Sequence, residues 1–286
     1  MFGRKFRAQA YKKDRQKEET VKDRVISAIV MLAVALSCVL LSEFTRVLLF
    51  AVAGILCAYE LSRNYEKLDV HCGAWVMFTY IGAQALLALF HAGSTAYIAC
   101  MAGGIYLALL DGIIRHRVSG DGAVYTIMGL AYPCFIFGLL MMIAVSDCWL
   151  DVYVLACFAT WVCDSFALFG GKRFGKHHVA PTVSPNKTIE GCVCGFLASL
   201  VTGVIIYFIP GLCQNIPLWL CVLTCGVAST MGQIGDLAES LVKRMIGVKD
   251  FSNLIPGHGG MFDRADSLLF SIPTAYICLF VFGFGA

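Results

Sequence analysis

Between Ser240 and Asp266 the chain reads SLVKRMIGVKDFSNLIPGHGGMFDRAD, crowding Lys243, Arg244, Lys249, Asp250, His258, Asp263, Arg264 and Asp266 into one stretch. Carboxylates interleaved with cationic side chains suit phosphate chemistry. A magnesium ion takes one or two carboxylates together with phosphate oxygens and water, and Lys and Arg neutralise the remaining phosphate charge. Just upstream, GDLAESLVK spaces Asp236, Glu239, Ser240 and Lys243 at i, i+3, i+4 and i+7, one face of a helix if the helix continues that far. Asp263 and Asp266 stand three apart where the last apolar run begins, so they share a face of its first turn. Two helix ends can thus aim acids at one point, with Lys243, Lys249 and Arg264 around it. The plainer alternatives are an ordinary ion-paired helix face and a His258 that only steadies its loop, in which Gly257, Gly259 and Gly260 open backbone shapes closed to other residues.

A second polar string, CDSFALFGGKRFGKHHVAPTVSPNKTIEG, runs from Cys163 to Gly191. Asp164 lies inside an apolar run, where a carboxylate is costly and usually faces a polar cavity or a partner; a structural ion pair is the competing reading. Lys172, Arg173 and Lys176 read as headgroup anchors as easily as ligand contacts. In SPNKTIEG, Ser184, Asn186, Lys187 and Thr188 offer an ammonium and hydrogen-bonding groups directly before a helix, an arrangement that binds anions. Ser184 or Thr188 serves equally as a helix cap, with Glu190 favouring the positive helix end.

These groups need a scaffold, and composition says which kind. Of 286 residues, 59% are hydrophobic and only 14% charged, against about a quarter charged in soluble domains. Nine apolar runs (25–42, 45–62, 73–92, 95–112, 124–146, 149–170, 191–209, 216–236 and 267–286) approach the ~20 residues a membrane-crossing helix needs. Helices rather than strands are expected, because hydrocarbon offers no partner to open backbone groups. The fold class is therefore all-α and polytopic in the membrane. Twenty-one of 22 basic residues fall on one side of this nine-span pattern, and only Arg46 falls opposite. The positive-inside bias places the N-terminus and the charged loops in the cytoplasm. Residues 1–24 form a basic segment suited to anionic lipid, and residues 25–286 a single membrane domain whose site is built from loops and helix ends around 160–270. Most of the 14 cysteines lie within apolar runs as small fillers. Cys148 and Cys213 fall in loops on the outer side, where a bond between them is weakly indicated.

The pattern S-x-x-K-R-x4-K-D-x-S-x2-I-P-x-H-G-G-x2-D-R-x-D from Ser240 to Asp266, with GDLAES, SPNKT-x-EG and the Asp164 and Phe174–Lys176 positions upstream, resembles the phosphatidate cytidylyltransferase (CDP-diacylglycerol synthase) family. The resemblance implies a reaction of CTP with phosphatidic acid that gives CDP-diacylglycerol and pyrophosphate. It implies Asp236 and Asp263 as ligands of a catalytic Mg2+, with room for a second cation, and Lys243 and Lys187 as phosphate contacts. Asp164, Ser184, Asn186, Thr188, Ser240, Arg244, Lys249, His258, Arg264 and Asp266 are expected to line the substrate site. A homodimer follows by the same likeness, while the nine-span form with its basic tail points to a bacterial cytoplasmic membrane and the long charged loops to a site facing the cytoplasm; nothing calls for nucleic acid. The competing readings are another membrane lipid phosphotransferase, such as a polyprenol kinase, and a transporter. A transporter site sits near the bilayer midplane between symmetric halves, whereas the polar groups here gather at one end of the runs.

Overall fold

The computed structural model describes residues 29–30, 32–114, 121–254 and 259–284; the basic segment 1–24 and His258 lie outside the described residues. Ten α-helices account for the apolar runs: α1 (Leu32–Leu41), α2 (Glu43–Tyr65), α3 (Ala74–Leu89), α4 (Ser94–Ile114), α5 (Asp121–Gly129), α6 (Phe135–Ala144), α7 (Trp149–Phe174), α8 (Ile189–Tyr207), α9 (Leu218–Ile246) and α10 (Phe262–Val281). Among the described residues, seven helical stretches are long and apolar enough to cross a membrane, with α5 and α6 counted as one. Runs 25–42 and 73–92 correspond to the shorter apolar helices α1 and α3. The third of these stretches, Asp121–Ala144, is interrupted at Leu130–Cys134, where Tyr132 leaves helical geometry and Pro133 supplies no N–H to the ladder.

Two hydrophobic cores meet along α2 and α6. One joins those helices to α7, α9 and α10, and the other joins them to α3 and α4. Arg46, the single basic residue expected on the far side, is buried there: Nε donates to the Ala144 carbonyl at 2.7 Å and the guanidinium stands 4.0 Å from the Trp149 ring centroid. It ties the start of α2 to the end of α6 and the start of α7. Cys148 and Cys213 carry free thiols, so no bond joins them.

Two features shape the end of the molecule opposite Arg46. First, α9 runs on to Ile246, 29 residues in all. At 1.5 Å per residue that is about 44 Å, longer than the ~30 Å hydrocarbon layer. Its last turns therefore project beyond the apolar run that ended at 236. Second, His178–Ala180 (β1) and Ser184–Thr188 (β2) pair as an antiparallel hairpin, His178 opposite Thr188 and Ala180 opposite Ser184. SPNKT is thus a strand that ends in a cap. Thr188 accepts from the Gly191 N–H at 3.2 Å and starts α8, while Ser184 sits four residues too early for that task.

Candidate active site

The site is assembled from α9 outward. Because the helix continues, Asp236, Glu239, Ser240 and Lys243 do share one face, and that face is turned inward: Glu239 is fully buried and Ser240 nearly so. Lys243 bridges two acids, its Nζ 2.5 Å from Glu239 Oε2 and 3.1 Å from Asp263 Oδ1. Asp263 comes from the first turn of α10, and its other oxygen accepts from the backbone N–H of Phe251 at 3.1 Å and of Gly260 at 2.9 Å. One carboxylate therefore clamps both ends of the 251–260 segment. The stacked rings of Phe251 and Phe262, 4.6 Å between centroids, hold it from the apolar side.

The hairpin contributes the second lysine. Lys187 Nζ lies 2.7 Å from Asp236 Oδ2 and donates to the Gln233 carbonyl at 2.9 Å. Asp164, from α7, brings its charge beside both Lys187 and Asp236. Measured along the axes, Asp236 lies about 27 Å from the start of α9 and Asp164 about 22 Å from the start of α7. Both stand toward the same ends of two helices that run the same way.

Between the two lysines, Asp236, Glu239 and Asp266 each offer a carboxylate oxygen within 4.8 Å of the others. Gly235 makes this convergence possible: a Cβ there would fall 2.6 Å from the Asp266 carbonyl, so only a glycine lets α10 approach α9 so closely beside Asp236. Among the described residues, Glu239 Oε1 has no hydrogen-bond partner although it is buried. A buried, partnerless oxygen within a cluster of three acids is a group that a divalent cation would satisfy. The donor set is all oxygen, which fits a hard ion. Asp263, expected as a metal ligand with Asp236, adjoins Glu239, so Glu239 links it to the group formed by Asp236 and Asp266.

Other expected residues serve around this patch. Arg244 is exposed and donates through Nε to the Val183 carbonyl at 3.2 Å, fastening the hairpin to α9. Lys249, Arg264 and Asn186 are exposed, and Ser184 is half-buried on β2.

One residue at the site escaped the sequence reading. Glu60 of α2 is 2% exposed, and its carboxylate accepts from the Ser252 hydroxyl at 2.6 Å and from the backbone N–H groups of Met261 and Phe262, each at 2.9 Å. Those two amides open α10 and have no partner within their own helix. Glu60 thus caps α10 from another helix, with the helix dipole favouring its charge. A Cβ at Gly260 would lie 2.7 Å from Glu60 Oε2, so the chain needs glycine where it passes this carboxylate. Asn64, one turn on, donates to the Phe251 carbonyl at 2.7 Å and holds the other side of the same segment. The available signal was the one that exposed Asp164, a carboxylate inside an apolar run. Glu60→Gln removes the charge from bonds worth about 1.5–3 kcal/mol each. Amide exchange at Met261 and Phe262 is expected to quicken at least about tenfold, with a lower kcat; unchanged exchange would show that the cap does not hold α10.

A helical membrane protein with paired lysines and four clustered acids at the ends of its long helices belongs to the class of enzymes that handle phosphates at a membrane surface. Comparison with known proteins narrows this. The pattern of the cytidylyltransferase family matches residues 22–282, and the chain belongs to that family. It is 32% identical over 265 residues to the phosphatidate cytidylyltransferase of Staphylococcus haemolyticus, covering 91% of this chain and 99% of that one. The phosphatidate cytidylyltransferase of Staphylococcus aureus is 29% identical over the same share of each chain. That of Staphylococcus epidermidis is 38% identical over 165 residues, 58% of this chain and 62% of that one. Neither a transporter nor a lipid kinase is favoured by this membership.

Proposed function

We propose that the chain is a phosphatidate cytidylyltransferase, joining CTP and phosphatidic acid into CDP-diacylglycerol and pyrophosphate. The observation that carries this reading is the arrangement Lys187–Asp236 and Glu239–Lys243–Asp263 around a shared acid patch, set where a lipid headgroup and a soluble nucleotide can meet. Membership of the cytidylyltransferase family and the named relatives support it.

A phosphate oxygen of phosphatidate attacks the α-phosphorus of CTP; the new P–O bond replaces the α–β phosphoanhydride bond, and pyrophosphate departs. A phosphate monoester has lost most of its second proton at pH 7, so the nucleophile needs no dedicated base and the residues mainly position and neutralise. Lys187, fixed by Asp236 and the Gln233 carbonyl, places one ammonium at the membrane side of the patch. Lys243 places the second against Glu239 and Asp263. Asp236, Glu239 and Asp266, with Asp263 adjoining, would hold Mg2+, which would supply charge neutralisation at the transferring phosphate. The glycine-bearing 259–260 segment, held by Glu60 and Asp263, fixes the first turn of α10, which presents two of the acids. In this reading the basic loops and the N-terminus face the cytoplasm and all nine apolar runs cross the membrane.

The test is the fate of label in mixed micelles containing the protein, phosphatidate, CTP and Mg2+. Phosphorus from α-labelled CTP is expected in the lipid, and that from γ-labelled CTP in pyrophosphate. Lipid labelled from the γ-position would make the enzyme a kinase and end the proposal.

A further inference from the structure

A groove of about 380 Å3 opens between α8 and α9, within the size range of small-ligand sites. Its walls are Ile189, Val193 and Phe196 from α8 and Thr230, Ile234 and Leu237 from α9, and Val179 of the hairpin closes its upper end. We infer that this groove seats one acyl chain of the lipid substrate and delivers the attached phosphate to Lys187. The inference rests on the reading of the chain as an enzyme acting on phosphatidate, and it adds where that lipid lies.

Three features carry it. The first is chemistry. The hydroxyl of Thr230 donates to the Gly226 carbonyl at 2.8 Å, and the Gln233 amide donates to Cys163 Sγ at 3.0 Å and the Cys192 carbonyl at 3.3 Å. These side chains commit their donors to the protein and leave methyl and methylene surface toward the groove, a lining that suits hydrocarbon. The second is continuity with the phosphate site. Lys187 donates to the carbonyl of Gln233, which is itself part of the groove wall. Ile189 follows Lys187 by two positions and Leu237 follows Asp236 by one, so the lining residues adjoin the ion pair along the chain. On this proposal an amphiphile whose tail fills the groove brings its phosphate to Lys187. The third is extent. From Ile189 to Phe196 the α8 wall spans about 10 Å along the helix axis, enough to follow a chain rather than a single methyl group. Two other cavities lack this combination. One carries the charged side chains Glu60, Arg63 and Lys67 in its lining, and the other, at Tyr207–Gln214, lies at the opposite end of α8 from Lys187.

Two measurements test the assignment. In wild-type protein in nanodiscs, phosphatidate carrying a diazirine near the middle of one acyl chain is expected to form adducts with α8 and α9 peptides spanning 189–196 and 230–237. Excess dioleoyl phosphatidate should suppress them, and inorganic phosphate should not. Adducts confined to other helices would overturn the groove, as would adducts that inorganic phosphate removes. Because label is read on the unaltered chain without turnover, this outcome stands apart from whether CDP-diacylglycerol is formed; failure of that synthesis would overturn the function instead. The second measurement compares kcat/KM for dioleoyl and dibutyryl phosphatidate. Filling the groove with Val193→Trp or Ile234→Trp displaces roughly two methylenes of buried chain and is expected to lower the long-to-short ratio about tenfold. Val201→Trp, on an exposed face of α8 outside the groove, keeps the wild-type ratio. An unchanged ratio in both groove variants, or an equal fall in Val201→Trp, refutes the proposal.

Discussion

Asp236→Asn is expected to yield a folded, membrane-inserted protein whose turnover of CTP and phosphatidate falls about 10²–10³-fold, the loss typical of removing one preorganised electrostatic group from a reaction centre. Asn keeps the size of Asp and can still accept from Lys187 Nζ, which lies 2.7 Å from the carboxylate. What disappears is one negative charge from a patch in which Asp236, Glu239 and Asp266 converge. Position is retained and charge is lost, so the effect should fall on kcat far more than on expression or thermal stability. Asp263→Asn should cost similar activity and also loosen the segment it clamps through Phe251 and Gly260. Both are read by release of pyrophosphate with phosphatidate in mixed micelles. Full turnover in either variant would remove that residue from the site.

Lys243→Met is expected to damage stability as well as activity. Among the described residues, Lys243 is the single ammonium in contact with two acids whose side chains are 0% and 4% exposed. Deleting the cation leaves buried negative charge uncompensated, at a cost of about 3–5 kcal/mol. With roughly 2–4 °C of unfolding temperature per kcal/mol in chains of comparable size, the midpoint in detergent should fall by about 10 °C. The double variant Lys243→Met with Glu239→Gln separates the two consequences. Neutralising Glu239 removes much of the stranded charge, so stability should recover in part while turnover stays low. Recovery of both would assign Lys243 a purely structural task; recovery of neither would mean that Asp263 alone accounts for the damage.

The helical architecture was legible because hydrocarbon leaves a backbone few choices: long apolar runs must satisfy their hydrogen bonds internally. Asp236, Glu239, Ser240 and Lys243 were legible as a unit because helical spacing alone puts them on one face. Much of what surrounds them was not. The β1–β2 hairpin is short and polar, with no alternation strong enough to mark its strands, so Lys187 was read from a loop and its distance from Asp236 could not be foreseen. Glu60 lies 201 and 202 positions before the amides it caps, and no local pattern connects them. Arg46 was counted as the odd charge on the outer side, and burial against Trp149 and the Ala144 carbonyl turns it into a fastener.

That Asp236, Glu239, Ser240 and Lys243 share one face of a membrane-length helix followed from residue type and spacing, since both depend on local backbone geometry and hydropathy. Which acids share a common point was decided by the close approach of α9 and α10 at Gly235, through which Asp266 joins Asp236 and Glu239 while Asp263 turns to Lys243 and the 251–260 segment. Contacts of that kind depend on the packing of elements far apart in the chain, and a one-dimensional pattern holds no measure of how closely two helices pass.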